Sequence, residues 1–231
     1  MGIHIKIELI VGKLLKLITP LHKSTKRNYL KRMVENKVKC MVESKKYGFN
    51  YWDGKRKYGY GGYRYIPNRW TNIAKKIIKK YKLNNNSKIL DVGCGKGFLL
   101  YEIKLLLPRI KMHGFDVSRY GISKSMKLVK KNLFVHKAQN KYPFKKKEFD
   151  LVISIGCLHN LEVNDLKKAI KEISRVAKKA LILIESYRNE VELFNLQCWA
   201  LTCNSFFSSK EWKWLFKEFD YRGDYEFIYF E

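Results

Sequence analysis

Residues 88–97 read Lys88-Ile89-Leu90-Asp91-Val92-Gly93-Cys94-Gly95-Lys96-Gly97. The apolar run followed by three alternate glycines predicts a buried strand over 88–93 that turns sharply and opens a helix over 97–107. Glycine lets the backbone bend tightly and approach a ligand closely, while a helix N-terminus offers unpaired N–H groups and a partial positive charge. A ligand is therefore expected against this turn. Nicotinamide sites hold a pyrophosphate with the spacing G-x-G-x-x-G. Here the spacing is G-x-G-x-G, and Asp91 just before the turn would repel a pyrophosphate but suit a cationic amino-acid group.

Working outward, helix and strand patterns alternate from Thr71 to the end. A helix over 71–82 precedes the glycine strand. A strand over 111–117, a helix over 119–131 and a short strand over 133–138 follow it. Then come a strand over 149–155, a helix over 164–177, a strand over 180–186, an irregular stretch over 188–208, a helix over 209–219 and a strand near 225–230. Apolar strands separated by amphipathic helices are what a parallel sheet covered on both faces requires. The predicted fold class is α/β, a doubly wound, mostly parallel open sheet. At 231 residues the chain suits one such domain over 71–231, preceded by an extension over 1–70.

The extension has two parts. Residues 3–22 place Ile3, Ile7, Ile10, Leu14, Leu17, Ile18 and Leu21 on one arc at helical spacing and lysines on the other, a basic amphipathic helix that Pro20 breaks or kinks. Across 3–32 such a segment could lie on an anionic membrane, or its apolar stripe could pack on the enzyme's own core. Residues 47–70 are dense in glycine and aromatics with neither period, which predicts a lid or substrate wall.

The motif Asp91-Val92-Gly93-Cys94-Gly95-Lys96-Gly97 resembles the first motif of the class I S-adenosylmethionine-dependent methyltransferases, and the resemblance continues across 71–231. It implies that S-adenosylmethionine is the cofactor. The loop of Gly93, Cys94, Gly95 and Gly97 would wrap its methionine part, with Asp91 acting on the ammonium. Asp116, ending the second strand, stands where that family holds both ribose hydroxyls, which suits the two oxygens of a carboxylate. Val117 would flank the adenine. Gln139 and Asn140 stand where an acidic or amide side chain accepts from the adenine amino group, although most relatives carry Asp at the position of Asn140. Residues 149–160 resemble the fourth motif, whose strand end at Ile155 faces the transferring methyl. His159 is the candidate general base there, with cofactor packing or helix capping as its plainer role. Glu185 and Arg188 gather at the fifth strand's end, where a charge pair of Glu185 with Arg64 or Arg188 is the structural alternative. Residues 188–208 are where related enzymes build acceptor specificity. The sheet of that family closes with an antiparallel pair, yet only one strand fits after residue 219.

The 48 Lys+Arg against 21 Asp+Glu give a formal charge of +27. Polyanions attract such a chain, but the lysines are sprinkled along helix faces amid Asn, Ile and Tyr, a bias an AT-rich genome also supplies. Composition is therefore read before nucleic-acid binding. The absence of an Asn/Asp-Pro-Pro-aromatic tetrapeptide disfavours exocyclic-amine nucleic-acid methylation. Five cysteines without a C-x-x-C pair predict no structural metal, and neither a spanning segment nor a cleavage signal is read, so a cytoplasmic protein is expected. The expected function is methyl transfer to a hydroxyl of a small molecule or glycan. The alternatives are an RNA or protein methyltransferase and a non-catalytic cofactor-binding module.

Overall fold

In the computed structural model, which describes residues 11–231, the glycine-bearing strand lies inside a six-stranded sheet. The strands are β1 (Lys88–Val92), β2 (Lys111–Asp116), β3 (Leu133–Val135), β4 (Phe149–Ile155), β5 (Ala177–Glu185) and β6 (Asp224–Ile228). They run in the order β3-β2-β1-β4-β5-β6 with every neighbouring pair parallel. Strand order reverses between β1 and β4. Open sheets bind ligands at that point, outside the carboxyl ends of the strands.

Successive strand residues are buried on opposite faces. Ile89, Leu151, Ile153 and Leu181 meet Ile73 and Ile77 of α5 (Thr71–Tyr81) and Leu100 and Ile103 of α6 (Phe98–Leu106). Leu90, Val152 and Ile182 meet Leu166, Ile170 and Ile173 of α9 (Val163–Val176) and Trp212 and Phe216 of α11 (Ser209–Glu218). Each leucine or isoleucine buried in this way contributes about 1.5–3 kcal/mol. Reciprocal hydrogen bonds between Ser208 and Glu211 start α11.

Three expectations need correction. The helix over 119–131 is two, α7 (Arg119–Ser123) and α8 (Lys127–Lys130). The hydroxyls of Ser123 and Ser125 donate to the carbonyls of Tyr120 and Ile122, and Met126 N–H reaches back to Lys96 O. Such local bonds compete with a continuing helix. The irregular stretch contains α10 (Glu190–Trp199), capped by Asn189. Its apolar residues surround the axis, with Val191 and Phe194 exposed and Leu196 buried, so no single stripe marks it.

The third correction concerns the N-terminal helix. Residues 3–10 of that expectation lie outside the described residues, and residues 11–18 form no helix, with a bridge at Leu14 and a bend at Leu17 and Ile18. Leu14 bridges Tyr225 in parallel on the outer edge of β6, with Leu15 N–H to Tyr225 O at 2.8 Å and Tyr225 N–H to Lys13 O at 3.0 Å. An open sheet edge offers ladder bonds that outweigh a local helical period. β6 is parallel to β5, so among the described residues the closing antiparallel pair is absent and this segment takes the edge. The fully buried Glu226 then collects the N–H groups of Leu17, Ile18 and Thr19 and the Thr19 hydroxyl, at 2.7–2.9 Å. Pro20 sits in the first turn of α1 (Thr19–Lys23), where its missing N–H costs nothing. Ile18 is buried, and Leu15, Leu17 and Leu21 pack on the core.

Three short helices follow, α2 (Tyr29–Val34), α3 (Lys37–Ser44) and α4 (Phe49–Trp52), the last within the glycine-aromatic stretch that covers the carboxyl ends of the strands. No helix among the described residues is long and apolar enough to cross a membrane.

Candidate active site

The glycine turn is shaped by close contacts. Gly93 and Gly95 have φ of +80° and +56°, in the left-handed region that favours glycine. A Cβ on Gly93 would come within 2.5 Å of Cys157 Sγ, and one on Gly95 within 2.8 Å of the Trp52 ring. Trp52 belongs to the aromatic stretch, which is therefore docked onto the turn as a lid. Its Nε1–H donates to Ser118 Oγ at 2.8 Å, and Ser118 Oγ caps α7 by accepting from Gly121 N–H. Asp53 takes both 2.7 Å bonds from Lys96 Nζ, inside the glycine turn, together with the Tyr120 hydroxyl. Burial alone would raise the Asp53 carboxyl, but the bonds from Lys96 and Tyr120 hold it below the ordinary range. Nothing in the sequence marked this pair, because Lys96 and Asp53 stand among dozens of other charged residues.

Under the lid lies a cavity of about 430 Å³. Gly93, Asp116, Val117, Gln139 and Ile155 line it, joined by Trp52 from the lid. Asp116 Oδ2 accepts from Gly95 N–H at 2.9 Å and Oδ1 from Ser118 N–H at 2.8 Å. Each oxygen holds one backbone donor and retains capacity for another, an acceptor pair that the two hydroxyls of a ribose diol fit. Helix capping falls to Ser118, so Asp116 is free of that duty. Asp91 stands behind the turn, 4% exposed, its carboxyl pushed up to about 8 by burial and by neighbouring Asp116. A cationic group brought beside Asp91 would relieve that cost. Cys94, Gly95 and Gly97 form the turn itself without lining the cavity.

Asn140 is exposed and lies off the cavity, a correction to its expected contact with the cofactor. Its own N–H closes a turn onto Lys137 O, which carries the side chain past the rim. Asp165, from the first turn of α9, lines the cavity instead, with Gln139 Nε2 donating to its carboxylate at 3.2 Å. No local pattern could have joined residues 139 and 165.

A second cavity of about 440 Å³ adjoins the first and shares Tyr51, Tyr60, Ile155, Gly156, Asn160 and Thr202 with it. His159 is 4% exposed and lines this second space, not the first. Its carbonyl accepts from Asn204 and Ser205 N–H, which fix the turn. Nδ1 accepts from Glu185 N–H at 3.4 Å, and Nε2 lies 3.4 Å from the Glu185 carboxylate. That arrangement assigns the proton to Nε2. Burial lowers the imidazole below its ordinary range against the pull of Glu185, which keeps it neutral. Glu185 thus pairs with His159, while Arg188 pairs with Glu192 and Glu231.

A parallel sheet with a glycine turn after its first inner strand, a carboxylate ending the next, and a ligand cavity between them define the class I methyltransferase fold. The chain belongs to that family: the family described as a methyltransferase domain matches residues 83–220. Among curated relatives, the ubiquinone biosynthesis O-methyltransferase of Pelagibacter ubique is 30% identical over 137 residues, covering 55% of each chain. The mitochondrial arginine-hydroxylase NDUFAF5 of Homo sapiens is 30% identical over 110 residues, 47% of this chain and 31% of that protein. The matches thus span about half the length of the first relative and a third of the second. The YcgJ protein of Bacillus subtilis shares the fold, with a TM-score of 0.51 at 20% identity over 63% of this chain and 66% of its own.

Proposed function

We propose that the chain uses S-adenosylmethionine to methylate a hydroxyl of a small molecule or glycan. The observation that carries this reading is the pair of cavities that meet at Ile155 and Gly156, one walled by groups that suit a nucleoside, the other by His159 and Glu185. A donor in the first and an acceptor in the second would face each other across that boundary, the in-line arrangement methyl transfer requires. Bound there, S-adenosylmethionine would supply an activated methyl whose leaving group is a neutral thioether.

Asp116 would hold the ribose, Asp91 the ammonium, and Val117 and Gln139 the adenine end. The Glu185 carboxylate, about a quarter exposed, would take the acceptor's hydroxyl proton. His159 would hold Glu185 in place through Nε2–H and stay neutral itself. The fit is tested by titration calorimetry with S-adenosylmethionine and its demethylated product. Both should bind, and Asp116→Ala should weaken both by about thirtyfold or more, the cost of losing a charged acceptor for two hydroxyls. No binding by the wild type, or undiminished binding by the variant, would refute the reading.

A further inference from the structure

We propose that the second cavity grips a phosphate group on the methyl acceptor through Arg27, Arg32 and Arg56, gathered around Trp199; the acceptor role rests on the methyl-transfer reading above. The three guanidinium carbons lie 5.3, 4.4 and 4.9 Å from the centre of the Trp199 ring. All three side chains line the cavity that also holds His159 and Glu185. The anchoring charges and the proton-accepting pair therefore share one enclosed space, of a size that suits a small molecule.

Arg32 is buried, Arg27 half-buried and Arg56 exposed, and none of them meets a carboxylate within ion-pair distance among the described residues. Arg32 is 6% exposed and donates to Lys57 O and, at 3.4 Å, to Gly59 O. Arg56 also donates to Gly59 O, and Arg27 to His22 O, Thr25 O and the His22 ring. Arg27 Nε is buried with no partner. None of the three makes an ion pair among the described residues, whereas Arg175 and Arg188 elsewhere pair with glutamates. Gathering like charges on one ring, with Arg32 withdrawn from water, is costly unless an anion joins them. The strain registers in the groups themselves. Burial and Arg56 lower Arg32 to about 10, burial and Arg27 lower Arg56, and His22 is pushed down to about 4 by burial and Arg27. Glu185, the one carboxylate on this cavity among the described residues, already faces His159.

Residue choice separates this cluster from the lysine bias of the chain. The sequence has 38 lysines and 10 arginines, yet among the described residues five of those arginines (27, 32, 56, 64 and 69) and no lysine line this cavity. Lysine is a hydrated point charge, while the guanidinium plane stacks on an aromatic ring and meets oxyanions in pairs of bonds. A phosphate monoester carries up to two charges and three acceptor oxygens, which answers several guanidiniums where a carboxylate answers one.

The test uses the full chain and inorganic pyrophosphate as probe, at fixed ionic strength, with S-adenosylmethionine titrated in parallel. Pyrophosphate should bind at one saturable site. Arg32→Gln with Arg56→Gln should weaken it by about tenfold or more and leave S-adenosylmethionine affinity unchanged. Should that double variant fail to fold, Arg56→Gln alone, whose hydrogen bond stays within the lid, should give a smaller loss of the same kind. Absence of pyrophosphate binding, or binding that the substitutions leave intact, would overturn the proposal. A parallel drop in S-adenosylmethionine affinity would overturn it too, assigning the arginines to the donor. Citrate bound as tightly as pyrophosphate, or single-stranded RNA bound more tightly and lost in the same variant, would replace the small phosphate ester with another anion. Pyrophosphate binding without any S-adenosylmethionine binding by the wild type would sink the methyl-transfer reading, and the acceptor role with it.

Discussion

The two cavities share a wall and oppose each other in charge. The first carries Asp116, Glu162 and Asp165 against Lys45 and Lys137, while the second carries five arginines against Glu185. A sulfonium nucleoside bearing an ammonium belongs with carboxylates, and an anionic acceptor belongs with guanidiniums. The contrast teaches that charge can sort donor from acceptor before either is aligned, since each ligand is repelled from the other's chamber. The two sides also differ in origin. The donor side is built on the strand ends of the sheet, and the acceptor side mainly from residues 18–70 and 199–203, held to the sheet by Glu226.

That difference can be broken from either side. The largest effect is expected at Glu226. Glu226→Ala leaves three backbone N–H groups of residues 17–19 without their acceptor and should cost about 3–5 kcal/mol in chemical denaturation. If the acceptor wall is separable, S-adenosylmethionine affinity should change little in the folded variant, whereas pyrophosphate binding should weaken. Next is the tie between lid and glycine turn. Asp53→Ala strands the buried Lys96 ammonium and should cost about 2–3 kcal/mol of stability, with donor and acceptor binding both weakened because the lid walls both chambers. The smallest effect is a pH dependence confined to the donor. Asp91 holds its proton up to about 8 in the free protein. A bound ammonium favours the ionised carboxylate, so binding must expel that proton and becomes easier as pH rises. Between about pH 5.5 and about pH 7, below the ordinary α-amino range, affinity should climb by up to about tenfold per unit, and Asp91→Asn should flatten the slope.

The donor half was legible in the sequence because its parts are local. Asp91 and the glycines are adjacent, and Asp116 and Ile155 end strands whose apolar runs announce them. Even there, Asn140 was read onto a wall that Asp165 lines, since a neighbour's placement depends on how α9 packs. Around the second cavity, His159, Glu185 and the stretches 47–70 and 188–208 were singled out, but the arginine cluster was not legible. Trp199 stands on a helix without an apolar stripe, and Arg27, Arg32 and Arg56 are separated by three short helices that no period marked. Residues 11–18 carried a true helical period that lost to an open sheet edge, a competitor more than 200 positions away.

The Glu226 clasp also fixes an order of events. Residues 17–19 are made more than 200 positions before their acceptor, so no bond of that clasp can form until residue 226 has been synthesised. Strands β1 to β4, which carry the glycine turn, Asp116 and Ile155, are already available to a nascent chain by then. During its own manufacture the molecule therefore acquires the strands around the glycine turn before it acquires the clasp that holds residues 17–19 to the sheet.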